Sequence, residues 1–252
     1  MRIKCIATGS SGNCFYCESE SGTGVFLDAG APPDAILDQG LSIANKPFFI
    51  THEHGDHAKY ADELHSKYGA TMIATPGTLK ALNMLPQKIK ANHDAPLIAI
   101  GDIHELKDIE FSRINIIHNA EEPCAFLINM DGEALLYIVD AGQVPEVKHL
   151  RPQVLIIEAN YTQECMEENA KRSDSGLYVS GRVSSGFGHL SVNQAVEAAM
   201  PMFPTLELLI FTHMSGNNFD LIEYFKDDSI PKAIKDKAMF AEAGKAYSTV
   251  PF

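Results

Sequence analysis

The chain is short of positive charge: its 252 residues hold 20 Lys and Arg against 33 Asp and Glu, a formal net charge of −13. Proteins that grip long DNA or RNA draw much of their affinity from Lys and Arg on phosphates. An acidic chain therefore points to a small substrate rather than a long polymer, and part of its acidity would offset bound cations. No apolar run reaches about 18 residues, the length at which a helix crosses a bilayer. The start, Met1 to Cys14, has one short apolar stretch before a Gly/Ser loop and lacks the apolar segment of a secretory signal. A cytoplasmic protein with no membrane partner is expected. Cysteine is sparse and odd in number (Cys5, Cys14, Cys17, Cys124, Cys165) in a chain too large to need disulfides. Cys14 and Cys17 have the spacing of a redox or zinc pair. Phe15-Tyr16 between them reads as strand, however, which sends the two thiols to opposite faces, so ordinary buried thiols are expected. Internal repeats, low-complexity tracts and linkers are also lacking, and a single domain over residues 1–252 is expected.

What is present is concentrated in Thr51-His52-Glu53-His54-Gly55-Asp56-His57, directly after the apolar run Pro47-Phe48-Phe49-Ile50. Imidazole and carboxylate together suit zinc or a related divalent metal such as manganese. The apolar run reads as a buried strand, and ligands of layered α/β proteins gather at the C-terminal ends of such strands. In an extended chain His52 and His54 share one side. Asp56 and His57 then turn away, placed for a second metal beside the first. A solvated His/Asp loop is the plain alternative, and four donors this close behind a strand argue against it.

Short strands alternate with turns through the first third: Ile3 to Ala7, Cys14 to Glu18 and Gly24 to Leu27, separated by Gly9-Ser10-Ser11-Gly12-Asn13 and Ser21-Gly22-Thr23-Gly24. Helices are expected from Tyr60 to Tyr68, ended by Gly69, and from Ser191 to Met200 with Ser191 as cap. Buried strands are expected from Ala134 to Val139, Val154 to Ile157 and Leu206 to Phe211. Met239 to Thr249 reads as a last strand with a Gly turn. Lys171 to Gly188 is the longest irregular stretch, of the kind that is often functional. Three more polar residues follow apolar strands: His118 after Ile114-Asn115-Ile116-Ile117, Asp140 after Leu135 to Val139, and His213 after Leu208 to Thr212. Each alone reads as a satisfied structural residue. Together they describe a metal site built along one sheet edge.

Asp28 in Val25-Phe26-Leu27-Asp28-Ala29-Gly30, the His52 to His57 run, His118, Asp140 and His213 occur in the order of the five motifs of the metallo-β-lactamase fold, and the chain resembles that family over nearly its whole length. The resemblance implies an α+β architecture, an αβ/βα four-layer sandwich with a di-metal site at the sheet edge. It implies two zinc ions, or manganese, with His52, His54 and His118 on one and Asp56, His57 and His213 on the other. Asp140 would bridge them, and Asp28 would order the site. Asp rather than Cys at position 140 disfavours true β-lactamases and suggests phosphodiester hydrolases. Glu158, at the end of a strand, and His189, in Gly188-His189-Leu190-Ser191, match the positions at which the tRNase Z-like and WalJ (YycJ)-like branch pairs a Glu with a His on the scissile phosphate. The catalytic residues so implied are His189, Glu158 and Asp56. The Gly9 to Asn13 loop and His213-Met214-Ser215-Gly216-Asn217-Asn218 also look WalJ-like.

Two substrates follow from the resemblance. One is a small cyclic nucleotide such as cyclic CMP or UMP, or cyclic AMP or GMP, as in the compact phage anti-Pycsar enzymes of this branch, an activity that counteracts cyclic-nucleotide immune signalling. The other is DNA or RNA. Small size, acidic charge and the lack of a tRNA-gripping arm favour the cyclic nucleotide. A homodimer is expected by the same resemblance. Lys171, Arg172 and Arg182 are candidates to reach phosphate or base, set against solvated surface charges. Tyr161, Tyr178 and Phe187 are candidates to stack on a base, set against ordinary packing, which is the reading preferred for each. A lactone or thioester hydrolase, or a non-catalytic metal scaffold, fits less well, because the His189–Glu158 pair and all seven ligand positions are filled.

Overall fold

The computed structural model describes residues 1–84, 97–99, 103–106, 108–172 and 184–249. Its strands fall in two seven-stranded sheets. The chain divides into two compact units: Met1–Ile114, Ala120–Glu133 and Glu242–Phe252 form the first, Asn115–Asn119 and Ala134–Ala241 the second.

In the first unit, β1 (Arg2–Ala7), β2 (Cys14–Glu18) and β3 (Gly24–Leu27) form an antiparallel meander. From β3 the sheet continues in parallel through β4 (Pro47–Phe49), β5 (Thr71–Ala74) and β6 (Leu97–Ala99). The helices α1 (Pro33–Leu37), α2 (Gly55–Ala58), α3 (Ala61–Tyr68) and α4 (Pro76–Ala81) lie in the connections, as parallel pairing requires. Parallel strands are buried on both faces and read as apolar runs, and β4 illustrates why. Phe48 stacks on Phe26 on one face, with ring centroids 4.3 Å apart. Phe49 turns to the other and meets Phe111 and Phe126 edge-on at 4.9 and 5.2 Å. Those two rings come from β8 (Ile109–Asn115), which pairs antiparallel with β7 (Ile103–Leu106), and from β9 (Cys124–Met130).

The second unit holds β10 (Glu133–Ile138), β11 (Val154–Glu158), β12 (Leu208–Thr212) and β13 (Ala238–Phe240), all parallel. Their register decides where the chemistry goes. Ile138 lies opposite Ile157, Ile157 opposite Phe211, and Glu158 opposite Thr212. The C-terminal ends of three strands are therefore level, and Asp140, Glu158 and His213 leave the sheet at the same edge. Helices α5 (Gln163–Lys171), α6 (Val192–Ala199), α7 (Leu221–Lys226) and α8 (Lys232–Lys237) complete the unit, with α6 packed on β11.

Several sequence expectations change. Lys171 ends α5 instead of opening an irregular stretch. Arg172, its neighbour, is paired with Glu168 on the exposed side of that helix at 3.8 Å, a solvated surface pair. Tyr178 and Arg182 lie outside the described residues. The last strand is two: β13 belongs to the second unit, while β14 (Ala246–Ser248) pairs with β1 in the first. A shared apolar pattern cannot tell one strand with a turn from two strands that pair with different partners. The strand before His118 ends at Asn115, so that His118 sits on a short connection and not directly at a strand end. Cys14 and Cys17 are buried free thiols, as strand geometry requires.

Candidate metal centre

The first unit gathers the histidine run around one buried carboxylate. Asp28 follows β3 in a left-handed conformation (φ 58°), which turns its side chain back toward the end of β4. Its Oδ1 accepts from the Thr51 N–H at 2.8 Å and from the Thr51 hydroxyl at 2.9 Å, and its Oδ2 accepts from His57 Nδ1 at 2.7 Å. The Thr51 hydroxyl in turn lies 3.0 Å from His52 Nδ1. Both rings therefore carry their proton on Nδ1, and each presents an Nε2 lone pair, the arrangement a metal-binding histidine needs. His52 Nε2 and His54 Nδ1 converge at 3.1 Å. Two imidazole nitrogens this close share a point where a proton or a cation can sit. His54 precedes α2, so that Asp56 and His57 fall on one helical turn, with Asp56 Oδ2 3.3 Å from His57 Nε2. Gly30 is required beneath this turn, because a Cβ there would lie 1.9 Å from the Asp56 carbonyl oxygen.

The second unit gathers the remaining donors. Asp140 and His213, like Asp28, sit just past strands at positive φ (50° and 54°), a strained backbone that proteins hold mainly where a side chain must be aimed. Asp140, Glu158, His189 and His213 each place one donor atom within 4.8 Å of the others. Glu158 Oε1 accepts from His189 Nδ1 at 2.6 Å and from His213 Nδ1 at 3.0 Å. Its Oε2 accepts the backbone N–H groups of Ala141 and Leu190, each at 3.2 Å. Asp140 Oδ1 lies 3.1 Å from both Nδ1 atoms. His118 Nε2 stands 3.7 Å from Asp140 Oδ2. Burial disfavours a charged ring at His189, but the carboxylates of Glu158 and Asp140 outweigh it and raise His189 to about 10. Burial also works against ionised Glu158, yet His189 and His213 hold its carboxyl below the ordinary range. At neutral pH this is a protonated imidazole on an ionised carboxylate.

Three residues escaped the sequence reading. Asn13 accepts the Gly9 N–H at 2.9 Å, which fixes its amide, and its Nδ2 then lies 3.1 Å from His57 Nε2 and 3.5 Å from Asp56 Oδ2. The available signal was an amide ending a Gly/Ser loop, where turn chemistry alone does not need one. Asn160 donates to the His213 carbonyl at 2.8 Å. Glu53 accepts the Glu121 N–H at 2.7 Å, tying down the loop that carries His52 and His54.

Imidazoles and carboxylates at these separations fit divalent cations of the zinc type. A family model described as a beta-lactamase superfamily domain matches residues 47–214, about two thirds of the chain. The chain belongs to this superfamily. It is similar to the exodeoxyribonuclease WalJ of Streptococcus pneumoniae, 28% identical over 228 residues that span 84% of this chain and 81% of the relative. Among solved structures it is similar to the metallo-β-lactamase fold protein YhfI of Bacillus subtilis, with TM-score 0.70, 15% identity and 98% of each chain covered. It is similar also to Zn(2+)-bound PqqB of Methylobacterium extorquens, with TM-score 0.69, 13% identity, and 98% of this chain and 100% of that one covered. The chain is a metallo-β-lactamase fold hydrolase, with two mixed sheets flanked by helices. No helix among the described residues is long and apolar enough to cross a membrane.

Proposed function

We propose that this hydrolase is a two-metal phosphodiesterase acting on nucleotides. The observation that carries the reading is the 2.6 Å pairing of His189 Nδ1 with Glu158 Oε1 beside Asp140 and His213. A cationic imidazole at this position serves phosphodiester cleavage by stabilising charge on the phosphate or protonating the leaving oxygen. Within the first unit His52, His54, Asp56 and His57 would hold metal, and within the second His118, Asp140 and His213 would do so. Zinc suits this donor set, and manganese is the alternative. Bound there, the metals supply Lewis acidity toward the phosphate and its attacking water.

The chain's own residues do the rest. Glu158 accepts from His189 Nδ1–H, which orients the ring and keeps it charged. His189 Nε2–H then donates to the substrate. The Ala141 and Leu190 N–H groups hold Glu158 in place, so the pair is preorganised. His189→Ala should lower kcat about 10²- to 10⁴-fold with metal content unchanged. Full activity with normal metal would remove His189 from the mechanism.

On the substrate, the likeness to WalJ over 84% of the chain favours a DNA strand. The net charge of −13 favours a small cyclic nucleotide such as cyclic CMP or UMP. The likeness weighs more, because it spans the ligand motifs while charge is summed over the whole surface. A competition between single-stranded DNA and cyclic UMP or CMP, with metal-loaded protein, decides between them. Hydrolysis of neither by fully loaded protein would overturn the phosphodiesterase reading.

A further inference from the structure

We propose that Phe187 and Ile117 form an apolar rim that stacks on the nucleobase of the substrate whose phosphate reaches His189; this rests on the nucleotide reading above. Phe187 is 63% exposed and Ile117 43%. Phe187, expected from the sequence to pack, instead stands largely in water. Tyr161, by contrast, is buried against Met166. Each exposed residue stands beside a donor: Ile117 precedes His118, and Phe187 lies two residues before His189. No other exposed large apolar side chain among the described residues lies within two residues of a donor.

The backbone around both is pinned. Gly188 O lies 3.2 Å from His118 Nδ1. The Gly142 N–H donates to Ile117 O at 2.8 Å, and the Gly188 N–H to Ser185 O at 2.8 Å. Gly142 lets the loop come close, since a Cβ there would stand 2.2 Å from Gly186 O and 2.7 Å from Phe187 N. A ring on a fixed backbone, left facing water, forgoes the gain that burial gives an aromatic side chain. Beside a polar cluster that takes a phosphate, that ring has a use. Every base has a π-face, and stacking on an aromatic side chain binds it without regard to sequence. The division of labour is then physical: charged and hydrogen-bonding groups take the phosphodiester, and Phe187 and Ile117 take the base.

The test compares wild type, Phe187→Ala and Phe187→Trp, all metal-loaded. The substrates are the nucleotide selected by the competition above, a DNA strand or cyclic UMP, and its counterpart lacking the reacting nucleotide's base. Phe187→Ala should raise KM about tenfold on the base-bearing substrate, with kcat nearly unchanged and no effect on the base-free one. Phe187→Trp should restore KM. Equal KM for wild type and Phe187→Ala, or an equal rise on both substrates, overturns the rim. So does a fall in melting temperature with KM unchanged, which would mean that the ring packs on protein. Failure of the wild type to cleave any phosphodiester sinks the function and the rim together. Robust cleavage indifferent to Phe187→Ala sinks the rim alone.

Discussion

Asp28 accepts three hydrogen bonds, two from Thr51 and one from His57 Nδ1, and through them sets the tautomers of His57 and His52. Its role is to aim the lone pairs of others. Asp28→Asn is the informative change, because it keeps the shape but offers His57 Nδ1 a donor where it needs an acceptor. The His57 proton would move to Nε2, the atom that should face a cation. Metal affinity should fall about 10- to 100-fold, the usual cost of losing such a supporting carboxylate, as read by chelator competition. The cysteines belong to this scale too. Burial raises the Cys5 thiol to about 12 and pushes those of Cys14, Cys17 and Cys124 up as well, from an ordinary value of 9.0. Only Cys165 is partly exposed. In the native protein a thiol reagent should label Cys165 alone, and unfolding should release the other four. The sign of the pH effect follows. Above about 9 the unfolded chain sheds thiol protons that the folded one keeps, so stability is full below that pH and falls as the pH rises beyond it. Urea unfolding at pH 8 and pH 10 checks this.

At the scale of the element, α6 starts three residues after His189. Ser191 accepts from the Gln194 N–H at 3.2 Å, and Gln194 reaches back to the Ser191 N–H at 2.9 Å, a complete capping box. The cap closes the segment His189-Leu190 between β11, which carries Glu158, and a helix packed on that strand. Ser191→Ala should cost about 1 kcal/mol of stability in denaturant unfolding. It should also lower kcat more than it raises KM, because the His189 ring loses its fixed approach to Glu158. A stability loss with kcat intact would show that the cap serves the helix only.

For the whole molecule, the donors of each unit bring like groups together. His189 and His213 approach the same carboxylates, and His52 and His54 face each other at 3.1 Å. Cations bound only by the folded state add stability in proportion to their affinity. Removing metal with a chelator should therefore lower the melting temperature and abolish hydrolysis together, and zinc or manganese should restore both. A differential scanning assay run beside an activity assay, one metal at a time, also ranks the metals. The homodimer expected from the resemblance is checked by light scattering on the purified chain.

Much of this was legible along the chain. The apolar run of β4 followed by His52-x-His54-x-Asp56-His57 is local information, because burial on both faces demands apolar residues and the ligands must follow directly. Asp140, Glu158 and His213 were legible for the same reason, as polar residues that end or follow apolar runs. What only the tertiary structure decided lies in pairings distant in sequence. Asn13 reaches His57 across 44 residues, the strand predicted at Met239 to Thr249 splits between two units, and Phe187 is exposed, not packed. The sequence by itself determined which residues could hold a metal, because ligand chemistry resides in side chains and strand periodicity in the local pattern. The folded chain decided which nitrogen of each ring carries the proton and which aromatic ring stays in water, because hydrogen bonds and burial depend on neighbours that the linear order does not name.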